Sequence, residues 1–202
     1  VGQFASHTTV SSQGDAQWQA EVYRGWRIGS VANGGYLLAL VGRTLAEALN
    51  QPDPLSINAF YLAPVALGGV EVAVESLSET RSTHFASADL RQEGELKLRA
   101  TAAYTDLDKL KGPDWTNVTP PDVTSMEDVQ APAMSHLEIH QSIDMRMVQG
   151  AEVFTEGKTT GTGEFIAWLA HKDGAAPGPI DLVMFADMMP CLLYTSPSPR
   201  DS

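Results

Sequence analysis

The residues best placed to do chemistry lie at the starts of two predicted helices. Asn33, Gly34 and Gly35 lead into an apolar helix over residues 35–49, and Asp181 opens a second apolar segment. A helix N-terminus presents free backbone N–H groups and a partial positive charge, which can polarise a carbonyl and stabilise an oxyanion. The same environment favours an ionised carboxylate, the form that a general base needs. Structural alternatives exist, because Asn-Gly is a common turn, glycines allow close helix–sheet packing, and an aspartate can simply cap a helix.

Other candidate chemistries have less support. His84 lies in a predicted strand, where a histidine is more often structural or exposed, and Asp187 is interpreted as a solvated residue. His140 and Asp144 have a spacing that suits a helix, whereas their segment is strand-like. Metal-site spacings such as HExxH are absent, so neither a metal nor a cofactor is predicted. The absence of Gly-x-Ser-x-Gly disfavours an α/β-hydrolase.

Composition narrows the class of protein. The chain has 202 residues, a net charge of -12 and a pI near 4.7, which argue against nucleic acid as a partner. No apolar run reaches the roughly 20 residues that span a bilayer, and the first residues lack the order of a signal peptide. The single cysteine, Cys191, fits a reducing compartment. These features predict a cytoplasmic protein that binds neither nucleic acid nor membrane.

The periodicity of apolar residues predicts an α+β fold. The helix over 35–49 is apolar nearly all round, which indicates burial, and "NQPDP" ends it. Short strands are predicted within 16–28, and antiparallel strands follow at 55–66, 69–79, 82–94 and 95–106. We expect the sheet to wrap around the helix, with Leu38, Val41, Leu45, Val72, Val74 and Leu98 buried. Leu77 is assigned to the same face as Val70, Val72 and Val74.

The second half repeats this order in part. Residues 107–135 are rich in Pro, Asp and Thr and are predicted to be a linker, and 136–148 and 161–174 are predicted strands. A helix then begins near Asp181. We therefore predict a first unit at 1–106 and a partial second unit at 136–190, in a duplicated fold.

The last residues differ in character from the rest of the chain. The segment "CLLYTSPSPRD", Cys191 to Asp201, resembles the in-frame translation of a transposase sequencing adapter. We therefore expect residues 191–202 to be a non-native tail without packed partners, and the native sequence to stop at Pro190, inside the second unit.

The ordered motifs resemble the acyl-CoA thioesterase family with a double hotdog fold. The similar segments are "GWRIGSVANGGYLLALVGRTLAEAL" and "PLSINAFYLAPVALGGVEVAVESLSETRSTHFASADLRQEGE", followed by Pro113 and Trp115 and by "GEFIAWLAHKDGAAPGPIDLVMFADMMP". The resemblance implies a hotdog fold, in which an antiparallel sheet wraps around one helix, with the second of two units incomplete here. It also implies that acyl-CoA is hydrolysed to a free acid and CoA.

The resemblance also implies roles for the candidate residues. In bacterial members an aspartate at a similar helix start activates water with a threonine and a glutamine, which points to Asp181 here. The two partners would lie beyond Pro190, so the truncated chain is expected to be inactive. Asn33, Gly34 and Gly35 become candidate substrate-binding residues, and a homo-oligomer through the sheets is expected.

Two alternative functions are considered for the chain. A non-catalytic hotdog module could hold acyl groups without hydrolysing them, and the missing threonine and glutamine would separate this function from the enzyme. A hotdog hydratase acting on enoyl-CoA is disfavoured, because no Asp-x-Asn-Pro-x-His-like run occurs.

Overall fold

The computed structural model describes residues 2–113, 115–130, 137–152, 156 and 164–189. The predicted adapter-derived tail, residues 191–202, lies outside the described residues, as do residues 131–136 and 157–163. The division into units and linker therefore stays a prediction at those boundaries.

A buried helix, α2 (Gly34–Leu49), forms the centre of the first unit. The Asn33 side chain caps it by accepting a hydrogen bond from the Tyr36 nitrogen at 2.9 Å. It ends at Asn50, whose φ of 51° is left-handed, just before Pro52. Most of its circumference is buried, as the apolar pattern predicted.

A six-stranded antiparallel sheet wraps around α2. Its spatial order is β1-β2-β6-β7-β8-β5. The strands are β1 (Val10–Gly14), β2 (Gln17–Val22), β5 (Asp53–Tyr61), β6 (Gly68–Glu79), β7 (His84–Gln92) and β8 (Glu95–Thr105). A small ribbon, β3 (Arg27–Ile28) and β4 (Val31–Ala32), and a short helix α1 (Gln3–His7) precede α2. The predicted α+β arrangement of a sheet around one helix is thus confirmed, whereas β1 and α1 were not predicted.

Most residues predicted to lie in the core are buried, and the exceptions are Leu38 and Leu77. Val41, Leu45, Val72, Val74 and Leu98 are buried, as expected. Leu38 is only partly buried, because it lines a surface groove together with Ile57 and Leu182.

Leu77 is 55% exposed, so its assignment to the valine face is wrong. Strict alternation along β6 places residue 77 on the face of the strand opposite to that of Val74. The pairing of β6 with β7 is also irregular at this point, with a bulge between Ser76 and Ser78.

The second part of the chain adds a hairpin and one helix. Strands β9 (Ile143–Gln149) and β10 (Ile166–His171) pair antiparallel, and α3 (Pro179–Met188) follows. Residues Glu138–Gln141 form a 3-10 turn rather than the start of the predicted strand. Two further 3-10 turns, Leu107–Lys109 and Met126–Asp128, lie in the predicted linker.

Helix α3 packs antiparallel on α2. Gly35 of α2 lies against Met184, and Gly42 lies against Ile180, so the two helices run in opposite directions. The buried residues of α3 (Ile180, Met184, Phe185 and Met188) join the core of the first unit. This crossing brings the end of α3 to the start of α2.

Candidate functional site

The Asp187 carboxylate binds the N-terminus of α2. Its Oδ2 accepts a hydrogen bond from the Gly35 backbone nitrogen at 2.7 Å and one from Asn33 Nδ2 at 3.0 Å. The partial positive charge of the helix N-terminus attracts the negative carboxylate. Asn33 has two functions here, because its Oδ1 caps α2 while its amide nitrogen holds Asp187.

Two glycines make this approach of α3 sterically possible. A Cβ at Gly35 would lie 2.6 Å from the Cβ of Asp187 and 2.8 Å from the backbone oxygen of Met184. A Cβ at Gly34 would meet Asp187 Oδ2 at 3.2 Å and Tyr61 Cε1 at 3.2 Å, a tighter contact than usual but only with side-chain atoms. The structural explanation of the glycines, close packing, therefore applies, and this packing permits the hydrogen bond between Gly35 and Asp187.

Tyr61, at the end of β5, completes the surroundings of the helix start. Its hydroxyl donates to the Gly34 carbonyl oxygen at 3.0 Å. Burial, with a contribution from the charge of Asp187, raises the pKa of Tyr61 to about 12. The phenol is therefore protonated, and a donor, at neutral pH.

Two polar positions at this helix start stay available. Within the described part of the chain, the Gly34 N–H and the Asp187 Oδ1 have no hydrogen-bond partner, whereas the N–H groups of Gly35 and Tyr36 are both bound. Both belong to the same helix start, because the other oxygen of Asp187 binds the neighbouring Gly35 N–H. A donor beside a base is the pair that hydrolysis of a carbonyl compound requires.

Asp181 lies elsewhere, at the start of α3. Its Oδ1 is 2.6 Å from Nε2 of His171, and its Oδ2 accepts from the Gly178 nitrogen at 2.9 Å. The His171 side chain is almost fully buried, and its ring stacks on Phe4. Both oxygens of Asp181 therefore have structural partners.

The structure does not bring together the residues that the sequence grouped. Asp181 and Asp187 are six positions apart on α3, or about 9 Å along the helix axis. Asn33, Gly34 and Gly35 lie together beside Asp187 and not beside Asp181. The interpretation of Asp187 as merely solvated is wrong in this respect: the residue is exposed, yet its carboxylate is held by α2.

A sequence signal for Asp187 does exist. Ile180, Met184 and Asp187 follow the i, i+4, i+7 spacing of one helix face, and the first two are buried against α2. A carboxylate on the apolar face of a helix is unusual and indicates a specific partner. That signal was missed because the start of α3 offered a more familiar position for an acidic residue.

An apolar groove runs alongside α3, and its lining includes α3 residues from Pro179 to Ala186. It has a volume of about 510 Å³. We call this surface the α3 groove; it is lined by Leu38, Asp53, Pro54, Ser56, Ile57, Leu107, Pro179, Leu182, Val183 and Ala186. Its side chains are mostly apolar, which suits a hydrocarbon chain.

The histidines that the sequence singled out lie in other surroundings. His84 Nε2 is 3.0 Å from Ser76 Oγ, between the ends of β6 and β7. His140 is buried in the 3-10 turn before β9. Across the described ranges, no group of three His, Cys, Asp or Glu side chains could hold a metal ion, and no helix is long and apolar enough to cross a membrane.

Comparisons with known proteins agree on the fold. A structure described as a candidate thioesterase II from Thermobifida fusca YX is 21% identical, with a TM-score of 0.85 over 96% of this chain and 74% of that chain. A conserved protein of unknown function with a hotdog fold from Alicyclobacillus acidocaldarius is 19% identical, with a TM-score of 0.85 over 98% and 75%. An acyl-CoA thioesterase II from Mycobacterium marinum is 14% identical, with a TM-score of 0.69 over 95% and 70%. The fold is therefore the hotdog fold.

The sequence comparison is more specific. Residues 22–105 match the family model described as the acyl-CoA thioesterase N-terminal domain. This match covers most of the first unit and supports the resemblance to thioesterase-like hotdog proteins. No curated protein matches the chain.

Proposed function

We propose that the protein is an acyl-CoA thioesterase whose site lies at the N-terminus of α2, with Asp187 as the general base. The observation that carries the proposal is the Asp187 carboxylate held by the Gly35 N–H and by Asn33, beside a free N–H on Gly34. Asp181, which the sequence favoured, is the alternative base in this proposal. The thioesterase family match of the first unit supports the reaction class.

The proposed reaction uses one oxygen of Asp187 for chemistry and the other for anchoring. Oδ2 is fixed by two donors, and Oδ1 takes a proton from a water molecule as the water oxygen forms a bond to the thioester carbonyl carbon. The Gly34 N–H stabilises the oxyanion. The carbon–sulfur bond then breaks, the proton passes from Asp187 to the departing thiolate, and the products are a carboxylic acid and CoA.

The α3 groove is the proposed site for the acyl chain. Its lining on α3 extends from Pro179 to Ala186, the residue before Asp187 in sequence. An acyl group bound there would have its carbonyl end at the start of α2. Burial of each methylene contributes roughly 0.8 kcal/mol, so this groove would favour longer chains over acetyl groups.

The 202-residue chain is expected to hydrolyse acyl-CoA slowly or not at all. Leu182 of α3 is 60% exposed, so the helix that carries Asp187 leaves a large apolar side chain at the surface of the described structure. A general base on a helix that frays is not held in productive geometry, and poor orientation costs orders of magnitude in rate. A form that continues past residue 190 through a complete second unit is expected to be faster.

The test is a thiol-release assay on acyl-CoAs of increasing chain length. It compares the chain and its longer form with Asp187→Asn, Asp181→Asn and, as a matched control on a remote turn, Asp15→Asn. We expect Asp187→Asn to lower kcat by at least about 100-fold, the usual contribution of a general base, and Asp15→Asn to have no effect. If Asp181→Asn were the damaging change and Asp187→Asn harmless, the proposed base would be wrong.

A second candidate function is an acyl-binding hotdog module without catalysis. The α3 groove favours it as much as it favours the enzyme, because binding alone requires only an apolar cavity. Acyl-CoA binding by the longer form, measured by calorimetry, without thiol release would support the module and contradict the enzyme.

A further inference from the structure

We propose that Tyr61 is a positioning residue that holds the Gly34–Gly35 peptide so that its N–H stays directed at Asp187. The catalytic consequence of this inference rests on the proposed function, whereas the hydrogen-bonded arrangement can be tested without any activity. The sequence assigned no role to Tyr61, which lies in a predicted strand far from both helix starts.

One peptide unit connects the two side chains. Its carbonyl oxygen belongs to Gly34 and accepts from the Tyr61 hydroxyl at 3.0 Å. Its N–H belongs to Gly35 and donates to Asp187 Oδ2 at 2.7 Å. The peptide between the two glycines is therefore held at both ends, on one side by β5 and on the other by α3.

The peptide between Gly34 and Gly35 has more rotational freedom than most. Glycine lacks a Cβ, so a Gly-Gly pair can rotate its shared peptide more freely than any other pair of residues. It lies in the first turn of α2, where the carbonyl groups take part in the helix ladder but the N–H groups have no partner within the helix. Rotation of the peptide would turn the Gly35 N–H away from Asp187 and leave the carboxylate held by Asn33 alone.

The Tyr61 bond also polarises the same peptide. A donor on the carbonyl oxygen draws electron density from the N–H of that unit, so that bonds in a chain strengthen one another. Tyr61 O–H to Gly34 C=O, followed by Gly35 N–H to Asp187, is such a chain. The N–H that anchors the proposed base becomes a better donor because Tyr61 binds the other end of the peptide.

The hydroxyl can be separated from the ring. The Tyr61 ring lies against Gly34, within 3.2 Å of the position a Cβ would take there. Tyr61→Phe keeps this ring contact and removes only the donor. Tyr23→Phe is a matched control, because Tyr23 is also partly exposed and stacks by its ring on His7.

The first measurement is the amide proton shift of Gly35 by NMR on the 202-residue chain. We expect Tyr61→Phe to move this resonance upfield and a fluorinated tyrosine at position 61, a stronger donor, to move it downfield. Asp187→Asn should move it upfield by more, and Tyr23→Phe should leave it in place. An unchanged Gly35 shift in Tyr61→Phe, with a changed shift in Asp187→Asn, would overturn the role of Tyr61 and leave the Asp187 anchor intact.

The second measurement separates this inference from the proposed function. In a form extended through a complete second unit, for which the proposed function expects turnover, Tyr61→Phe should lower kcat by roughly 2- to 10-fold, the effect of one neutral hydrogen bond, with KM unchanged. A rise in KM with unchanged kcat would mean that Tyr61 acts on substrate binding and would contradict the positioning role. If Asp187→Asn retained full activity while the NMR shifts behaved as expected, the proposed function would fail and the arrangement around the peptide would stand.

Discussion

His171 and Asp181 form a buried pair, with Nε2 of the imidazole 2.6 Å from Oδ1 of the carboxylate. An ionised carboxylate can only accept, so the imidazole is the donor. The pair connects the last residue of β10 to the first turn of α3 and thereby fixes where that helix begins. Asp181 thus has partners within its own part of the chain, while a second aspartate, Asp187, nearer the end of the helix, contacts α2.

The first prediction concerns the different contributions of the two aspartates to stability. Asp181→Ala removes the partner of a buried imidazole and the acceptor for the Gly178 N–H, and should lower the free energy of unfolding by about 1–3 kcal/mol. Asp187→Ala should lower the free energy of unfolding by less than about 1 kcal/mol, because the residue is exposed and water can bind the N–H donors that the carboxylate leaves. Urea denaturation of both variants checks this, and equal losses would contradict the assignment of structural and functional roles.

The second prediction contrasts two neighbouring glycines. Gly35→Ala places a methyl group 2.8 Å from the backbone oxygen of Met184, so α3 must move and the variant should lose about 1–3 kcal/mol. Gly34→Ala meets only side-chain atoms at 3.2 Å or more and gains helix propensity, so it should stay within about 1 kcal/mol of the parent. Thermal unfolding of the pair measures the difference, and a Gly34→Ala variant less stable than Gly35→Ala would mean that the helices cross elsewhere.

The third prediction tests the burial of α2. Val41 is 0% exposed, so Val41→Asp puts a charge without a partner into the core and should cost several kcal/mol. Leu182→Asp is the control on α3: the site is exposed and close to a helix N-terminus, where a negative charge is tolerated. We expect its effect to be within about 0.5 kcal/mol. A Val41→Asp variant with the melting temperature of the parent would rule out the central position of this helix.

The fourth prediction concerns pH. Burial lowers the pKa of His7 below its usual 6.5, and its Nδ1 accepts from the Trp26 indole at 3.0 Å, which requires the neutral ring. Because the unfolded state binds the proton more tightly, this contribution to stability is complete above about pH 6.5 and falls as the pH drops from 6.5 towards the folded-state pKa. His7→Asn keeps an acceptor for Trp26 but does not titrate. The stability difference between parent and variant should therefore shrink on acidification through this range, and a constant difference would show that His7 is not the titrating group.

The fifth prediction concerns self-association. Strand β5 is at the edge of the sheet, and it and the residue after it expose large apolar side chains, with Phe60 73% exposed and Leu62 55% exposed. Exposed apolar clusters on an edge strand favour contact with other chains. Sedimentation velocity should show association that increases with concentration and that Phe60→Asp reduces. Val118→Asp, at an equally exposed site in the predicted linker, should have no such effect.

Sequence periodicity was sufficient for the parts of the fold that depend on local patterns. The helix over 35–49 and the strands after it follow from apolar spacing and from turn residues, and the structure has them at Gly34–Leu49 and β5 to β8. The bulge at Ser76 and Ser78 was not predictable, because it depends on the pairing between β6 and β7. Strand β1 is polar along most of its length, so it carries little apolar signal and is defined by its pairing with β2.

Local sequence patterns predict one part of the candidate site, whereas the other part depends on a contact between distant residues. Asn33, Gly34 and Gly35 form a local helix start that the sequence shows directly. Asp187 is 152 positions from Gly35, and its partner is decided by the crossing of two helices rather than by any neighbouring residue. Asp181 has the sequence context of a reactive carboxylate, yet His171, ten positions away, binds it.

The long span between Gly35 and Asp187 also sets an order of events during synthesis. All strands of the six-stranded sheet and α2 are complete by Thr105, so these elements can collapse together while the rest of the chain is still being made. The start of α2, with Gly34 and Gly35, then remains uncovered until α3 has been synthesised and packs against it. Contacts of such high sequence separation form late, since closing a long loop costs entropy before the contact repays it. We therefore expect amide protection in pulse-labelled refolding to appear on α2 before α3. The sheet and α2 would then form before the contact between Gly35 and Asp187.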